Sequence, residues 1–165
     1  LIKFVCLNLN SEQVENVVPT LFLICGLPGS GKTTLAKQLE HEQMALRLTP
    51  DEWMARIVGE GYDEAKRAAV ELLQWEIAQR VLRLGINVIL ESGFWSQSER
   101  NDFRARATAL GAAVKLYYLN VPVDELKRRL TLRNAMLPPD TFHVDVDDLD
   151  LWASQFEPPT PDELL

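Results

Sequence analysis

Gly26-Leu27-Pro28-Gly29-Ser30-Gly31-Lys32-Thr33, with Thr34 behind it, decides how the rest of this chain is read. The stretch satisfies G-x-x-x-x-G-K-[ST] at every fixed position, and its flanks give the pattern a physical meaning. Ahead of it, Thr20-Leu21-Phe22-Leu23-Ile24-Cys25 is a short apolar run suited to a buried parallel strand. Behind it, Leu35, Ala36, Leu39 and Gln43 continue at helical spacing. A strand, a glycine-rich turn and a helix N-terminus in that order present successive backbone N–H groups to a phosphate. Lys32 then reaches the outer phosphates of a nucleotide, and the Thr33 hydroxyl stands where Mg²⁺ would be held. Gly26, Leu27, Pro28, Gly29, Ser30, Gly31, Lys32, Thr33 and Thr34 are therefore expected to line the nucleotide site. A turn that binds nothing would leave Lys32 without a reason.

The chain has 165 residues, which suits one domain with helices on both faces of a sheet. No apolar run approaches the length of a membrane helix. Leu1–Leu9 lacks both a basic leader and a small-residue cleavage site, so no signal peptide is expected. Cys6 and Cys25 are the only cysteines, too few for a disulfide scaffold or a zinc cluster, and a reducing cytoplasm is the expected setting. The net charge of −7 argues against a broad nucleic-acid surface, though it leaves room for a local one. Positive charge gathers at Arg100, Arg104 and Arg106 and at Lys127, Arg128, Arg129 and Arg133, after which no Lys or Arg occurs. A positive site in an acidic shell suits a small anionic ligand better than a polyanion.

Outward from the loop, the pattern alternates strand and helix. Residues 45–49, 86–90 and 113–119 read as further strands, with Pro50 ending the first of them. Helices are expected over 51–57, over 63–84 with a buried stripe of Ala65, Ala69, Leu72, Leu73, Ile77, Val81 and Leu84, and over 96–110 behind the Ser96/Glu99 capping pair. Pro122 opens another helix carrying Leu126, Leu130 and Arg133, residues 134–144 read as a loop, and 147–156 as a last helix. The rhythm predicts an α/β fold: three layers, α/β/α, around a mostly parallel sheet of four or five strands, with a helical lid over about 123–145. Residues 1–19 form an N-terminal extension whose 2–9 segment is a candidate edge strand, residues 20–157 form the domain proper, and 158–165 is a tail expected along the surface. Nothing in the pattern fixes the oligomeric state as monomer or homodimer.

Ligands of open α/β sheets bind at the carboxyl ends of the strands. Past the second strand stands Asp51, placed to accept a proton from a substrate hydroxyl, or simply to cap the following helix. Past the third stands Glu91, an acid for Mg²⁺ or substrate, or a structural partner. Arg129 and Arg133 share a helix face, with Arg128 offset; their forks suit a transferring phosphoryl group, or a solvated basic face. Trp53, Phe94 and Trp95 are candidate walls for a substrate ring, or plain packing, and Arg56 is a candidate contact for an anionic substrate. His41 and His143 are isolated and carry no assigned role.

This constellation resembles the small P-loop kinases grouped with the AAA_33 domain, related to zeta-toxin kinases, chloramphenicol phosphotransferase and the kinase domain of polynucleotide kinase. The resemblance covers about 20–157 and rests on the loop at 26–34, Asp51, Val88-Ile89-Leu90-Glu91, and the run from Leu126 to Asn134. It implies an ATP- and Mg²⁺-dependent P-loop NTPase fold acting as a kinase, with Asp51 the base toward a hydroxyl of a small-molecule acceptor. Lys32 and a lid arginine (Arg129 or Arg133, with Arg128 as a further candidate) would stabilise the transferring phosphate, and Thr33 and Glu91 would serve the metal. The family usually carries Asp where this chain has Glu91, and a fifth strand where nothing after Phe156 resembles one. A regulatory GTPase is disfavoured because Asn120-Val-Pro-Val-Asp124 lacks the lysine of a base-reading element. Nucleoside, nucleotide-sugar and polynucleotide 5′-hydroxyl kinases, and a non-catalytic ATP-binding module, stay open as alternatives.

Overall fold

The computed structural model describes residues 18–164. Four strands, β1 (Thr20–Cys25), β2 (Leu46–Leu48), β3 (Val88–Gly93) and β4 (Ala113–Tyr118), form one sheet in the order β2-β3-β1-β4. Every pairing is parallel. Among the described residues there are six α-helices: α1 (Lys32–Glu42), α2 (Pro50–Trp53), α3 (Glu64–Arg83), α4 (Gln97–Ala109), α5 (Val123–Met136) and α6 (Leu149–Gln155). The expected edge strand at residues 2–9 lies outside the described residues. Among the described residues the sheet has no fifth strand, and the far edge of β4 is unpaired.

Successive β1 residues face opposite ways, and this splits the core in two. Leu21, Leu23 and Cys25 face a layer that includes Trp75, Ala78 and Leu82 of α3, Ala107 of α4 and Leu126 and Leu130 of α5. Phe22 and Ile24 face Ala36 and Leu39 of α1, with Ile89 beside them. Burying β1 on both faces is what lets it run straight into the loop at Gly26 without fraying. At that end the β1–β3 register shifts between Leu23 and Cys25, and β3 continues through Glu91 to Gly93, whose carbonyl accepts from Gly26 N–H at 3.0 Å. The third strand thus starts two residues later and ends three residues later than its apolar run suggested, and Glu91 belongs to it.

Two expectations are corrected. The buried face of α3 is Gln74, Trp75, Ala78 and Leu82, whereas Leu72, Leu73 and Leu84 are exposed. This helix is apolar on several sides, so aliphatic spacing did not single out one stripe; the Trp75 ring, packed edge-on against Phe103 at 5.2 Å, sets the rotation instead. The 158–165 tail does not simply lie on the surface either. A 3₁₀ turn at Pro161–Glu163 carries Glu163 into the interior, where its carboxylate receives Arg100 Nε at 2.7 Å and Nη2 at 3.1 Å. Arg100 Nη1 also donates to the carbonyls of Phe94 (3.0 Å) and Glu157 (2.8 Å), so one guanidinium ties the tail to the end of β3.

The Arg100 hydrogen bonds hold the Glu163 carboxyl down at about 2. A carboxyl depressed on folding stabilises the fold above its ordinary value of 4.5 and loses that contribution as pH falls from there toward 2. Glu163→Ala is expected to cost about 3–5 kcal/mol in urea denaturation at pH 7, because it strands a buried guanidinium. The double variant Arg100→Met/Glu163→Leu should recover much of that loss and flatten the acid limb.

Candidate active site

The loop between β1 and α1 is shaped by contact as much as by backbone freedom. At Gly26, whose φ is 149°, a Cβ would meet Ser30 Oγ at 2.9 Å and the Leu119 carbonyl at 3.1 Å. The N-cap of α1 is Gly31, which offers no side-chain cap, so the first N–H groups of the helix remain available to an anion. The Ser30 hydroxyl is buried without a partner at the same place. Lys32 folds back over the loop, its Nζ donating to the Leu27 carbonyl at 3.0 Å. Burial pushes the Lys32 ammonium below its ordinary range, against the opposing pull of Glu91 and Asp51.

Glu91 is buried at the centre of a network of oxygen groups. Oε1 accepts from Thr33 Oγ1 at 2.5 Å and Oε2 from Thr49 Oγ1 at 3.1 Å. Arg47 donates to the same Thr49 hydroxyl and lies 3.9 Å from Glu91. Burial raises the Glu91 carboxyl, while the bond from Thr33, Lys32 and the bond from Thr49 pull it back. A hydroxyl and a carboxylate beside the phosphate loop are hard oxygen donors, the kind Mg²⁺ takes alongside nucleotide phosphates and water. Among the described residues no three His, Cys, Asp or Glu side chains converge as a metal cage.

Asp51 stands on the exposed rim in α2. It does not cap the helix, since the N-cap is Thr49. Its Oδ1 instead accepts from Arg67 Nη2 at 2.7 Å. A cavity of about 680 Å³ is lined by all of these groups: Lys32, Thr33, Thr34, Glu91, Asp51 and Arg67, together with Arg129 and Arg133. Arg133 is half-buried and its Nε has no partner, an unsatisfied donor on the cavity wall; burial lowers its pKa. Arg129 reaches the cavity while bonding Glu125 at 2.7 Å.

Several candidates do not reach the cavity. Arg128 points to solvent, held in a two-pronged pair with Glu125 at 2.7 and 2.9 Å, because one helical position turns it away from the Arg129/Arg133 face. Phe94 is fully buried, edge-on to Phe103 at 5.3 Å, so it is core and not a substrate wall. Trp53 and Arg56 line a separate cleft of about 210 Å³ with Glu52 and Ile57. The Arg56 guanidinium is taken by Asp140 at 3.0 and 2.6 Å. Trp95 does line the cavity, joined by Trp152 at a ring separation of 6.0 Å. Sequence reasoning missed Arg67, Thr49, Phe142 and Trp152. Only Thr49, directly before Pro50 at a strand end, carried a signal that position alone could have raised.

A parallel sheet with its strand-loop-helix phosphate cradle defines a P-loop NTPase fold. The chain belongs to the AAA_33 family, an AAA domain, whose model matches residues 21–159. Among solved structures it is similar to a provisionally assigned kinase from Chloroflexus aurantiacus: 23% identity, TM-score 0.70, over 87% of this chain and 83% of that one. It is similar to a chain of the Pnkp1/Rnl/Hen1 RNA repair complex at 19% identity and TM-score 0.71, spanning 84% of this chain but only 44% of that one. The Mycobacterium tuberculosis APS kinase CysC, solved with AMPPNP and APS, is similar at 19% identity and TM-score 0.61, over 87% of this chain and 84% of that one. At such identities the likeness is one of fold. No helix among the described residues is long and apolar enough to cross a membrane.

The separation of the arginines gives a direct test. Arg128→Ala should leave AMPPNP affinity within about twofold, as an exposed pair contributes little. Arg133→Ala, removing a half-buried donor from the cavity wall, should weaken it roughly tenfold or more by isothermal titration.

Proposed function

We propose that this protein transfers the γ-phosphoryl group of ATP to a hydroxyl of a small molecule, with Asp51 as general base. The observation that carries the reading is the single cavity in which the phosphate loop, the Glu91 network, Asp51 and two arginines face one another. An APS kinase of similar fold holds AMPPNP, which supports an adenine nucleotide as donor here.

In this reading the N–H groups of the loop and α1 bind the nucleotide phosphates, and Lys32 reaches the β and γ oxygens. Thr33 and Glu91 would hold Mg²⁺, which when bound neutralises charge developing between the β- and γ-phosphates. The Asp51 carboxylate accepts the acceptor's hydroxyl proton as that oxygen bonds to Pγ. The bond from Pγ to the β–γ bridging oxygen breaks, and ADP leaves with the electron pair. Arg129 and Arg133 meet the charge spread over the transferring group. The acceptor end also carries Glu64 and Glu71, which repel a polyanion and favour a small-molecule acceptor over a polynucleotide. Trp95 and Trp152 offer that molecule an apolar wall.

The test is a screen of hydroxyl-bearing metabolites for substrate-dependent ADP release. Asp51→Asn should lower that release roughly 10²- to 10⁴-fold while AMPPNP still binds, as expected on losing a general base. Lys32→Ala should abolish release and weaken AMPPNP binding together. Undiminished turnover in Asp51→Asn would remove Asp51 from the role of base.

A further inference from the structure

The base has one side-chain partner among the described residues, and that partner is held from elsewhere. Arg67 Nη2 donates both to Asp51 Oδ1 at 2.7 Å and to the Gly61 carbonyl at 3.1 Å, while Nη1 lies 3.9 Å from Glu71. Arg67 rises from the first turn of α3, which Asp63 caps by accepting from Lys66 N–H, so its origin is firm. Asp51, with 59% of its side chain exposed, would otherwise be free to turn in solvent.

Gly61 is in turn covered by the ring of Phe142. A Cβ at Gly61 would lie 2.5 Å from two carbons of that ring, although the φ of Gly61 is not in the left-handed region. The glycine is thus required by close approach and not by backbone conformation. Phe142 belongs to a strap, residues 138–144, that leaves α5 and crosses to the segment before α3. The strap is tied down on both sides of Gly61: the Arg56–Asp140 pair lies before it, and Tyr62 Oη donates to the His143 carbonyl just after it. At its root, Asn134 exchanges two hydrogen bonds with Val144, at 2.7 and 3.2 Å. The Phe142 carbonyl also accepts from Arg133 Nη2 at 3.4 Å, so this one residue touches both a cavity-wall arginine and the glycine behind the base.

We infer that Phe142 and Arg67 are positioning residues that aim Asp51, and that the base is set only while the strap lies closed on Gly61. The inference rests on the proposed phosphotransfer with Asp51 as base. With the strap lifted, Gly61 loses the ring packed against its Cα, its carbonyl is no longer a fixed acceptor for Arg67, and the Asp51 carboxylate turns out of line. Misplacement on the scale of an ångström is enough to slow an in-line transfer severely. An open cavity therefore holds nucleotide without activating an oxygen beside it.

The first readout needs no acceptor: rotation of the Arg67 guanidinium, followed by NMR on its Nη groups with Mg²⁺–AMPPNP as the probe and identified by its loss in Arg67→Lys. Restricted rotation is expected in the unaltered protein. Rotation roughly tenfold faster is expected in Phe142→Ala and in Gly61→Ala, where the new methyl displaces the ring. Arg100, buried in its own ion pair far along the chain, is the internal control and should not change. A second readout is ADP release with an acceptor from the screen, where both variants should lose roughly tenfold to a hundredfold in kcat with KM for ATP unchanged. Equal Arg67 rotation in all proteins, or loosening of Arg100 in step with Arg67, overturns the relay. Asp51→Asn separates the two ideas: if it keeps full turnover, the base assignment fails; if it abolishes turnover while Phe142→Ala keeps both rotation and kcat, only the relay fails.

Discussion

The buried carboxylate of Glu91 is the interaction on which the site depends. It sits on the central part of the sheet and receives hydroxyls from two other elements, Thr33 at the start of α1 and Thr49 at the end of β2. Taking a carboxylate out of water is costly unless its oxygens are occupied, and these two bonds with nearby Lys32 and Arg47 offset part of that cost. Because each donor comes from a different piece of chain, the network fixes the phosphate loop, the β2–α2 junction that leads to Asp51 and the third strand against one another. A glutamate in place of a shorter acid suits this: the longer side chain spans from β3 to both hydroxyls while its backbone stays in the sheet.

A second level of order surrounds that centre. Arg100 gathers the end of β3 and the 157–163 segment around one guanidinium, and the 138–144 strap packs over Gly61. The first is buried and permanent. The second is exposed, made of surface pairs that individually contribute little, and so is the part of the site that opening would disrupt at small cost.

What the sequence revealed and what it hid divide along physical lines. The Gly26–Thr34 loop, the alternation of strands and helices, and the acids at strand ends are local patterns, and all were legible. The parallel pairing followed from that rhythm; the order β2-β3-β1-β4 did not, because it depends on which crossover each helix makes. The rotation of α3 was not legible, because Leu72 and Leu73 are as apolar as the residues that are buried, and only the Trp75–Phe103 contact selects between faces. Phe94 was misread for a related reason: standing just beyond Glu91 in sequence says nothing about which side of the sheet its ring enters. Arg56 and Arg67 are alike as letters, yet one meets the strap and the other meets Asp51. Those partnerships span 84 and 16 residues, and no local pattern encodes them.

The Arg100–Glu163 pair bears on the order in which the chain is made. Its two halves are 63 residues apart, so at ribosomal speeds of about 5–20 residues per second Arg100 waits roughly 3 to 13 s for its partner. Throughout that interval the guanidinium has no carboxylate to enter the interior with, and the turn at Phe94 cannot close over it. The nucleotide loop and its helix can form early, from the first part of the domain. The turn that follows β3, just beyond Glu91, has its full set of partners only after residue 163 has emerged.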